Sequence, residues 1–265
     1  YVPVNPMNPT ERLRKIMEKL DPEVIISDEK GKEQLAAVGN GLENKVMGPE
    51  ALTTATGTEL SEEQYSRLEQ IQGQWKETDV LYGIFTSGST GTPKAIVVSH
   101  GAASRFIRHF TEIFEITSAD VIGNQAPFDF DVSVKDIFLS LRVGGRLEIL
   151  EKKLFSFPKL LLERLNGRSV DTIIWAVPAL KILARLHAFQ TLRPLYLKNI
   201  MFSGEVMPPK TLQYWMQAVP QARFVNLYGP TEITCNCTYH IVQSADEVLQ
   251  EVPIGRPFAN CDVFL

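Results

Sequence analysis

The sequence has little of three things: long apolar runs, cysteine and excess positive charge. No apolar stretch reaches the roughly 18 to 20 residues of a membrane-spanning helix, so we expect no membrane span. Three cysteines do not form the paired framework of a disulfide-stabilised secreted domain, and the cytoplasm is the expected compartment. A net charge of −4 argues against a nucleic-acid partner, because such a surface needs a basic patch.

The length and the two ends bear on the organisation of the chain. A chain of 265 residues, 44% of them apolar, buries a substantial core in one large or two modest domains. It begins with "YVPVNP", without an initiator methionine, and stops in "NCDVFL", which has the pattern of an unfinished strand. We therefore expect a fragment of a longer protein.

Short apolar runs alternate with amphipathic stretches along most of the chain. Residues 1–79 hold a helix with Thr10 as its N-cap, a strand at "VIIS", and a polar loop region with a short helix near "SEEQYSRLEQI". Residues 80–240 alternate regularly between strands and helices, and residues 241–265 start a following β region. We expect an α/β fold of layered, mostly parallel sheets flanked by helices, with ligands at the carboxyl ends of the strands. The predicted strands of the regular part are "LYGIFT", "AIVVS", "VIGNQAP", "RLEILE", "DTIIWAV", "NIMFS" and "RFVNLYG".

The segment "IFTSGSTGTPKAI" interrupts the apolar pattern at residues 84–96. Glycines let backbone N–H groups approach an anion, hydroxyls add donors, and Lys94 adds a mobile positive charge. A Walker A loop needs Gly before the lysine and Ser or Thr after it, whereas Pro93 and Ala95 stand here. The composition alone also fits a mobile surface turn, so the order of the residues has to decide.

That order resembles a known signature. "YGIFTSGSTGTPKAIVVSH" is similar to the phosphate loop of adenylate-forming enzymes, which include acyl-CoA synthetases, luciferases and adenylation domains of nonribosomal peptide synthetases. The family usually has Gly after the lysine, where this sequence has Ala95. The resemblance implies ATP as cofactor, Lys94 as a catalytic residue, and phosphate contacts from Thr86, Ser87, Gly88, Ser89, Thr90, Gly91 and Thr92.

The segment "NLYGPTEIT", residues 226–234, resembles the adenine- and magnesium-contacting motif of the same family. A carboxylate that faces ATP phosphates makes sense mainly as a Mg²⁺ ligand. The resemblance implies that Tyr228 stacks on adenine, that Thr231 touches the α-phosphate, and that Glu232 holds Mg²⁺ together with Thr86. A Thr-Glu pair that merely starts a helix is the alternative. The implied nucleotide-binding residues here and in "FSGEV", which resembles a segment passing along the adenine, are Asn226, Leu227, Tyr228, Gly229, Gly204, Glu205 and Val206.

The segment "PFDFDVSVKDIF", residues 127–138, places two aspartates before a predicted helix. Either Asp131 or Ser133 could simply cap that helix. In amino-acid-activating members of the family, the similar motif FD-x-S-V has an aspartate that pairs with the α-ammonium group of the substrate. The resemblance gives Asp131 this role and favours an amino acid over a simple carboxylic acid.

The resemblance also implies which residues line the pocket for the substrate side chain. Trp175 and Met201 are bulky and favour a small amino acid, and the pattern also resembles D-alanine–carrier protein ligases, which usually have cysteine at the position of Ser203. Lys135 either points inward, where it suits an acidic side chain, or lies solvated on the helix surface. The implied lining is Asp131, Val132, Lys135, Trp175, Met201, Ser203, Leu227, Cys235 and Asn236.

The implied reaction joins an amino-acid carboxylate to ATP, and the aminoacyl group then passes to the phosphopantetheine thiol of a carrier protein. The family's ribose-binding aspartate, hinge and lid-domain lysine have no counterpart in these residues, so we expect the chain alone to be nearly inactive. An acyl-CoA ligase and a non-catalytic nucleotide- or partner-binding module remain alternatives. Cys235 and Cys237, with distant Cys261, lack metal-ligand spacing and are expected to pack in the core or the pocket.

Overall fold

The computed structural model describes residues 1–51, 60–86, 92–244 and 251–264. The chain divides into two compact units, Tyr1–His100 and Gly101–Leu265. Within the described ranges, no helix is long and apolar enough to cross a membrane.

The first unit begins with a small helical layer. Helices α1 (Thr10–Leu20) and α2 (Glu29–Val38) pack around a two-stranded parallel sheet of β1 (Ile25–Ile26) and β2 (Val46–Met47). Helix α3 (Glu62–Gln74) follows, with a capping box formed by Ser61 and Gln64. The apolar cluster of the helical layer consists of Leu13, Met17, Leu35, Val38 and Leu42.

The first unit ends in a hairpin. Strands β3 (Val80–Thr86) and β4 (Lys94–Ser99) pair antiparallel, and the register sets Thr86 opposite Lys94 at the open end of the ladder. The sequence prediction that these two runs belong to the mostly parallel sheet is therefore wrong. Since only seven residues (87–93) separate the two strands along the chain, they are too close for the crossover of a dozen or more residues that a parallel pairing needs.

The second unit is built on a seven-stranded sheet in the order β11-β10-β9-β8-β7-β5-β6. Strands β6, β5, β7, β8 and β9 lie side by side in this order, and each neighbouring pair is parallel. At the other edge, β10 pairs antiparallel with β9, and β11 pairs antiparallel with β10. This confirms the predicted α/β class with a mostly parallel sheet flanked by helices. The strands are β5 (Val121–Asn124), β6 (Arg146–Ile149), β7 (Thr172–Ala176), β8 (Asn199–Ser203), β9 (Arg223–Tyr228), β10 (Thr238–Ile241) and β11 (Arg256–Pro257); the helices are α4 (His100–Phe114), α5 (Val132–Val143), α6 (Pro158–Gly167), α7 (Val177–Arg185) and α8 (Pro209–Ala218).

The two faces of this sheet are covered differently. One face, which we call the apolar face, packs Ile173, Trp175, Ile200 and Phe202 against helices α6, α7 and α8. The other, which we call the polar face, carries Asn124, whose amide donates a hydrogen bond to Asp136 of α5. Alternation along each strand separates these two sets of side chains.

Several local predictions need correction. Thr10 is the first residue of α1 and not its N-cap, since Pro9 holds that position without a side-chain hydrogen bond. Helix α2 was not predicted at all, although Asp28 caps it by accepting a hydrogen bond from the Gly31 amide. The predicted strand "VIGNQAP" ends at Asn124, and the rest of that segment is a loop leading to α5.

Candidate functional site

The candidate site of the second unit lies at the carboxyl edge of its parallel strands. Strands β5, β7, β8 and β9 run in parallel, so their carboxyl ends meet at one edge of the sheet. In open α/β sheets this edge is where ligands bind. Helix α5 begins here after β5, and the turn after β9 returns here before β10.

Asp131 occupies the N-cap position of α5 without capping it. Its side chain accepts no hydrogen bond from the helix, and Ser133, the other candidate cap, donates its hydroxyl back to the Phe130 carbonyl at 2.7 Å. The capping alternative for these two residues is therefore wrong. The half-buried carboxylate of Asp131 is left at the carboxyl edge of the sheet, and the following residue, Val132, is also half-buried.

The turn after β9 is tightly constrained. A Cβ on Gly229 would lie 2.5 Å from the Asn236 Cα, so only glycine fits there. Thr234 and Cys235 both have positive φ, at 65° and 71°. Left-handed backbone at two successive residues with side chains costs free energy and is typical of functional sites. The strained geometry turns Cys235 and Asn236 inward, where both are buried.

Two hydrogen bonds join this turn to helix α5. The thiol of Cys235 donates to the Asp131 carbonyl at 3.0 Å, and the ammonium group of Lys135 donates to Asn236 Oδ1 at 2.6 Å. The residues in each pair are more than a hundred positions apart in the chain. The structure therefore brings together four residues that the sequence assigned to one pocket.

Lys135 points inward and is fully buried. This decides between the two orientations left open by the sequence, because a solvated lysine on the helix surface is excluded. The next residue, Asp136, is also fully buried on the polar face, where it accepts a hydrogen bond from Asn124 at 2.8 Å. Burial raises the pKa of Asp136 to about 7, against the lowering effects of the Asn124 hydrogen bond and the Lys135 charge.

Asp136 and Asn124 were not singled out from the sequence. Asn124 reads as the polar end of a strand, and Asp136 reads as an ordinary acidic residue of an amphipathic helix. The available signal was the adjacent pair Lys135-Asp136 inside an apolar stretch of helix, where two charges are rarely buried without partners.

The predicted pocket lining divides between the two faces of the sheet. Met201 and Ser203 lie on the polar face. Leu227 shares that face because it lies two residues after Val225, whose register partner is Met201. Trp175 does not join them. Its register partner is Phe202, its ring packs in the apolar cluster, and its indole N–H donates to the Gly123 carbonyl at 2.8 Å.

The residues assigned to the nucleotide in this unit occupy the same edge. The Tyr228 ring is half exposed at the end of β9, and the carboxylate-bearing Glu232 is exposed in the short turn that begins at Thr231. After β8, Gly204 has φ of 94° and Val206 is exposed, while Glu205 pairs with Lys181 at 3.4 Å.

Asn226 has a structural role. Its amide donates to the carbonyls of Val252 and Pro253, at 3.3 and 2.9 Å, and so anchors the segment before β11. The predicted contact between this side chain and the nucleotide competes with these two bonds.

The predicted phosphate loop belongs to the hairpin of the first unit. Thr86 donates its hydroxyl to the Lys94 carbonyl at 3.4 Å, which closes the base of the loop. Thr92 and Lys94, which follow residues 87–91 in the chain, are exposed. The predicted contacts at Ser87, Gly88, Ser89, Thr90 and Gly91 lie outside the described residues.

Comparison with known proteins identifies the family. A family model described as AMP-binding enzyme matches residues 1–265. The chain belongs to the AMP-binding enzymes. This confirms the family resemblance that the phosphate-loop and "NLYGPTEIT" segments carry.

Curated relatives of this AMP-binding chain include two kinds of protein. The D-alanine--D-alanyl carrier protein ligase of Bacillus velezensis is 32% identical over all of this chain and 50% of its own length. A mycosubtilin synthase of Bacillus subtilis is 31% identical over all of this chain and 10% of its own length. The chain thus spans about half the length of the ligases that it matches.

Solved structures agree with the fold. The Vibrio cholerae adenylation domain AlmE, in complex with glycyl-adenosine-5′-phosphate, is 26% identical with a TM-score of 0.78 over 97% of this chain and 50% of that one. IdnL7 is 25% identical with the same TM-score over 97% of this chain and 52% of its own.

Proposed function

We propose that the full-length gene product activates a small amino acid with ATP, forming an aminoacyl-adenylate and pyrophosphate, and then transfers the aminoacyl group to the phosphopantetheine thiol of a carrier protein. The observation that carries this proposal is the uncapped carboxylate of Asp131 at the carboxyl edge, joined through Cys235 to the turn that bears Tyr228 and Glu232. This contact supports placing the proposed ammonium-binding group and the proposed nucleotide-binding turn in one site.

Asp131 is the proposed partner of the substrate α-ammonium group. A carboxylate at the start of a helix is favoured by the helix dipole, but the Asp131 side chain makes no cap hydrogen bond to α5. A charge-assisted hydrogen bond to an ammonium group is the interaction it is free to make. Met201, Ser203 and Leu227 are the proposed floor under the substrate, and their burial supports a small side chain.

ATP and Mg²⁺ are the proposed cofactors. The half-exposed Tyr228 ring suits stacking on a base, and the oxygens of Thr231 and Glu232 are the hard donors that Mg²⁺ prefers. Among the described residues there is no cluster of three or more His, Cys, Asp or Glu side chains. This fits a magnesium ion held by one or two protein oxygens together with nucleotide phosphates. Bound magnesium would neutralise phosphate charge.

Family membership supports the roles that we propose for the hairpin residues. Lys94 is the proposed cation for the phosphates, and the hydroxyls of Thr86 and Thr92 are proposed donors to them, with Thr86 also a proposed magnesium contact. The protein's part in the first step is then electrostatic and positional: it orients the carboxylate toward the α-phosphorus and stabilises developing charge.

The test is amino-acid-dependent ATP–pyrophosphate exchange by the full-length gene product, with Asp131→Ala as the decisive variant. We expect exchange with at least one amino acid and a loss of about a hundredfold or more in kcat/KM for Asp131→Ala, since a buried charge pair is removed. Asp129→Ala, two residues earlier in the same loop, is the matched control and should retain most activity. An unchanged Asp131→Ala profile, or exchange with simple carboxylic acids alone, would refute the proposal.

A further inference from the structure

Two of the three cysteines lie at the antiparallel edge of the seven-stranded sheet, outside the proposed adenylation site. Cys237 directly precedes β10, and Cys261 lies shortly after β11. Both are free thiols on half-buried residues. The third cysteine, Cys235, is turned away toward α5, where its thiol donates to the Asp131 carbonyl. The first two are therefore the pair whose chemistry the proposed function leaves unused.

The backbone holds both of these cysteines against one residue, Phe258. The register of β10 and β11 pairs Thr238 with Pro257. One step further along this ladder, Cys237 lies opposite Phe258. The Phe258 amide donates to the Cys237 carbonyl at 2.9 Å, and the Phe258 carbonyl accepts a hydrogen bond from the Cys261 amide, also at 2.9 Å. Phe258 thus links the two cysteines through its own N–H and C=O groups.

The distances that follow from these bonds suit a disulfide. A hydrogen bond from the amide of Cys261 to the carbonyl three residues earlier is that of a β-turn, whose end Cα atoms lie within roughly 7 Å. Opposite Cα atoms of an antiparallel pair, such as those of Cys237 and Phe258, are about 4.5–5.5 Å apart. These two steps permit the separation of about 4.4–6.8 Å between Cα atoms that a disulfide requires.

The two thiol groups are also close enough to sense each other's charge. Burial raises the pKa of Cys261 above its usual value, and the charge of an ionised Cys237 raises it further. Such effects act between groups roughly 4–6 Å apart. Burial likewise raises the pKa of Cys237. The side chains of the pair therefore point into the same space, as their backbone bonds to Phe258 allow.

The surroundings of Phe258 make this arrangement rigid. Its side chain is only 1% exposed, and its ring packs against Phe110 and Tyr239 at centroid distances of 6.1 and 5.0 Å. The Cys237 amide also donates to the Tyr228 carbonyl at 2.8 Å, which fixes this cysteine to β9. Movement of the pair relative to the sheet is thereby restricted.

We propose that Cys237 and Cys261 are a modification site, at which hydrogen peroxide forms a reversible disulfide. One thiol attacks the peroxide, so that the O–O bond breaks, the sulfur becomes a sulfenic acid and one water leaves. The second thiol attacks this sulfur, forms the S–S bond and releases a second water. Hydrogen peroxide thus takes up both electrons and both thiol protons, and a dithiol reductant returns them.

The proposal does not depend on the proposed amino-acid activation. The bond closes the chain between residues 237 and 261 into a loop, and it fastens the segment after β11 to the end of the turn that follows β9. Because the pKa values of both thiols are raised, little thiolate is present at neutral pH, and the first step is slow. The pair therefore responds to sustained oxidation and not to a brief exposure.

The test is peptide mapping of the full-length gene product by mass spectrometry, without reduction, after incubation with hydrogen peroxide. We expect peptides linked through Cys237 and Cys261, and we expect dithiothreitol to separate them. The link should form about tenfold faster in the folded protein than in protein unfolded with urea, because the fold holds the two thiols together. Absence of the link, equal rates in the two states, or a link from either cysteine to another one overturns the proposal.

Thermal unfolding of the same samples gives a second readout. We expect oxidation to raise the unfolding temperature by about 2–4 °C, since a closed loop restricts the unfolded chain, and we expect dithiothreitol to reverse this rise. Cys261→Ser and Cys237→Ser should each abolish both the link and the rise, so the result does not depend on the folding of one variant. Cys235→Ser is the matched control and should keep both. A rise that persists in the first two variants contradicts the assignment.

Discussion

The two faces of the seven-stranded sheet are used for different purposes. The apolar face packs Trp175, Phe202 and Trp215 among aliphatic side chains of α6, α7 and α8, and its indole N–H groups both donate to backbone carbonyls. On the polar face, Lys135 and Asp136 of α5 are buried together with their amide partners, Asn236 and Asn124. The Oδ1 atom of Asp136 has no hydrogen bond among the described residues.

This difference shows where the fold gains stability and where it gives some up. Burial of apolar surface contributes roughly 25 cal/mol per Å² to the stability of the fold, and this contribution does not depend on a ligand. Buried charges with incomplete partners cost free energy, and such costs are typical of binding and active sites. The comparison therefore predicts that truncation on the apolar face lowers stability, whereas substitution on the polar face alters binding and pH dependence more than stability.

The largest expected effect is on the apolar face. Trp215→Ala removes a fully buried ring that contacts Trp175 and Phe189 at ring-centroid distances of 6.5 and 4.7 Å. We expect the free energy of unfolding to fall by about 3–5 kcal/mol, as measured by urea denaturation. Leu160→Ala, exposed on α6, is the control and should change it by less than about 0.5 kcal/mol. If Trp215→Ala lowers the free energy of unfolding by less than the control does, the proposed difference between the two faces of the sheet is wrong.

A smaller effect is expected at the turn of the polar face. Gly229→Ala places a methyl group against the backbone of residues 235–237, which cannot move aside cheaply. We expect a loss of about 1–3 kcal/mol in the free energy of unfolding, together with loss of exchange activity, because the turn positions Cys235 and Asn236. The control is Gly73→Ala in α3, where no atom lies within 4 Å and alanine should stabilise by about 0.5–1 kcal/mol. Equal behaviour of the two alanines would contradict the assigned constraint.

Asp136 sharpens the comparison through pH. Its folded-state pKa is raised from 3.8 to about 7, so the folded state holds a proton that the unfolded state has released. The stability from this group is complete below the unfolded pKa and is lost as pH rises through the folded pKa. We expect the wild type to lose stability relative to Asp136→Asn between pH 4 and 7, by at most about 1.4 kcal/mol per pH unit, with no further change above.

The measurement is urea denaturation of both proteins at half-unit steps from pH 4 to 8. Taking the difference cancels the other titrating groups that the two proteins share. Glu163→Gln on the exposed side of α6 is the control and should show no such trend against the wild type. A flat difference between wild type and Asp136→Asn would mean that the carboxyl group is not desolvated as the structure describes.

The smallest expected effect concerns backbone strain. Thr234→Gly relieves a positive φ of 65° but adds freedom to the unfolded chain, so we expect a net gain of no more than about 1 kcal/mol. Thr234→Ala keeps the strain and serves as the control. Thermal unfolding distinguishes them, and a glycine variant less stable than the alanine variant would argue against strain at this turn.

Much of the fold was predictable because its signals are local. Apolar runs such as "NIMFS" and "DTIIWAV" match β8 and β7 to within one residue at each end, since burial on both sides of a parallel strand leaves a continuous apolar run. The antiparallel hairpin of β3 and β4 was missed because the periodicity of apolar residues does not specify which strands pair. Helix α2 was missed for a different reason: its apolar stripe, Leu35 and Val38, is short and weak.

The candidate site was predictable in its residues but not in their orientations. The order of motifs indicated Asp131, Cys235 and Asn236. In the structure Asp131 directly precedes α5, Cys235 donates a hydrogen bond to its carbonyl, and Asn236 accepts one from Lys135 of α5. Whether Trp175 faces the pocket or the core depends on one register step, because a shift of one residue moves a side chain to the other face. The inward turn of Lys135 likewise depends on a tertiary partner, Asn236, which no local pattern reveals.

The hydrogen bond between Lys135 and Asn236 joins residues that are 101 positions apart, with four strands of the sheet between them. At roughly 5 to 20 residues per second of synthesis, α5 leaves the ribosome about 5 to 20 s before the turn that completes its contacts. Strands β5 to β8 and the helices α6 and α7 can pack during this interval, because their apolar residues are already present. The contacts of the binding edge thus become available during translation only after the apolar residues of the central strands have been synthesised.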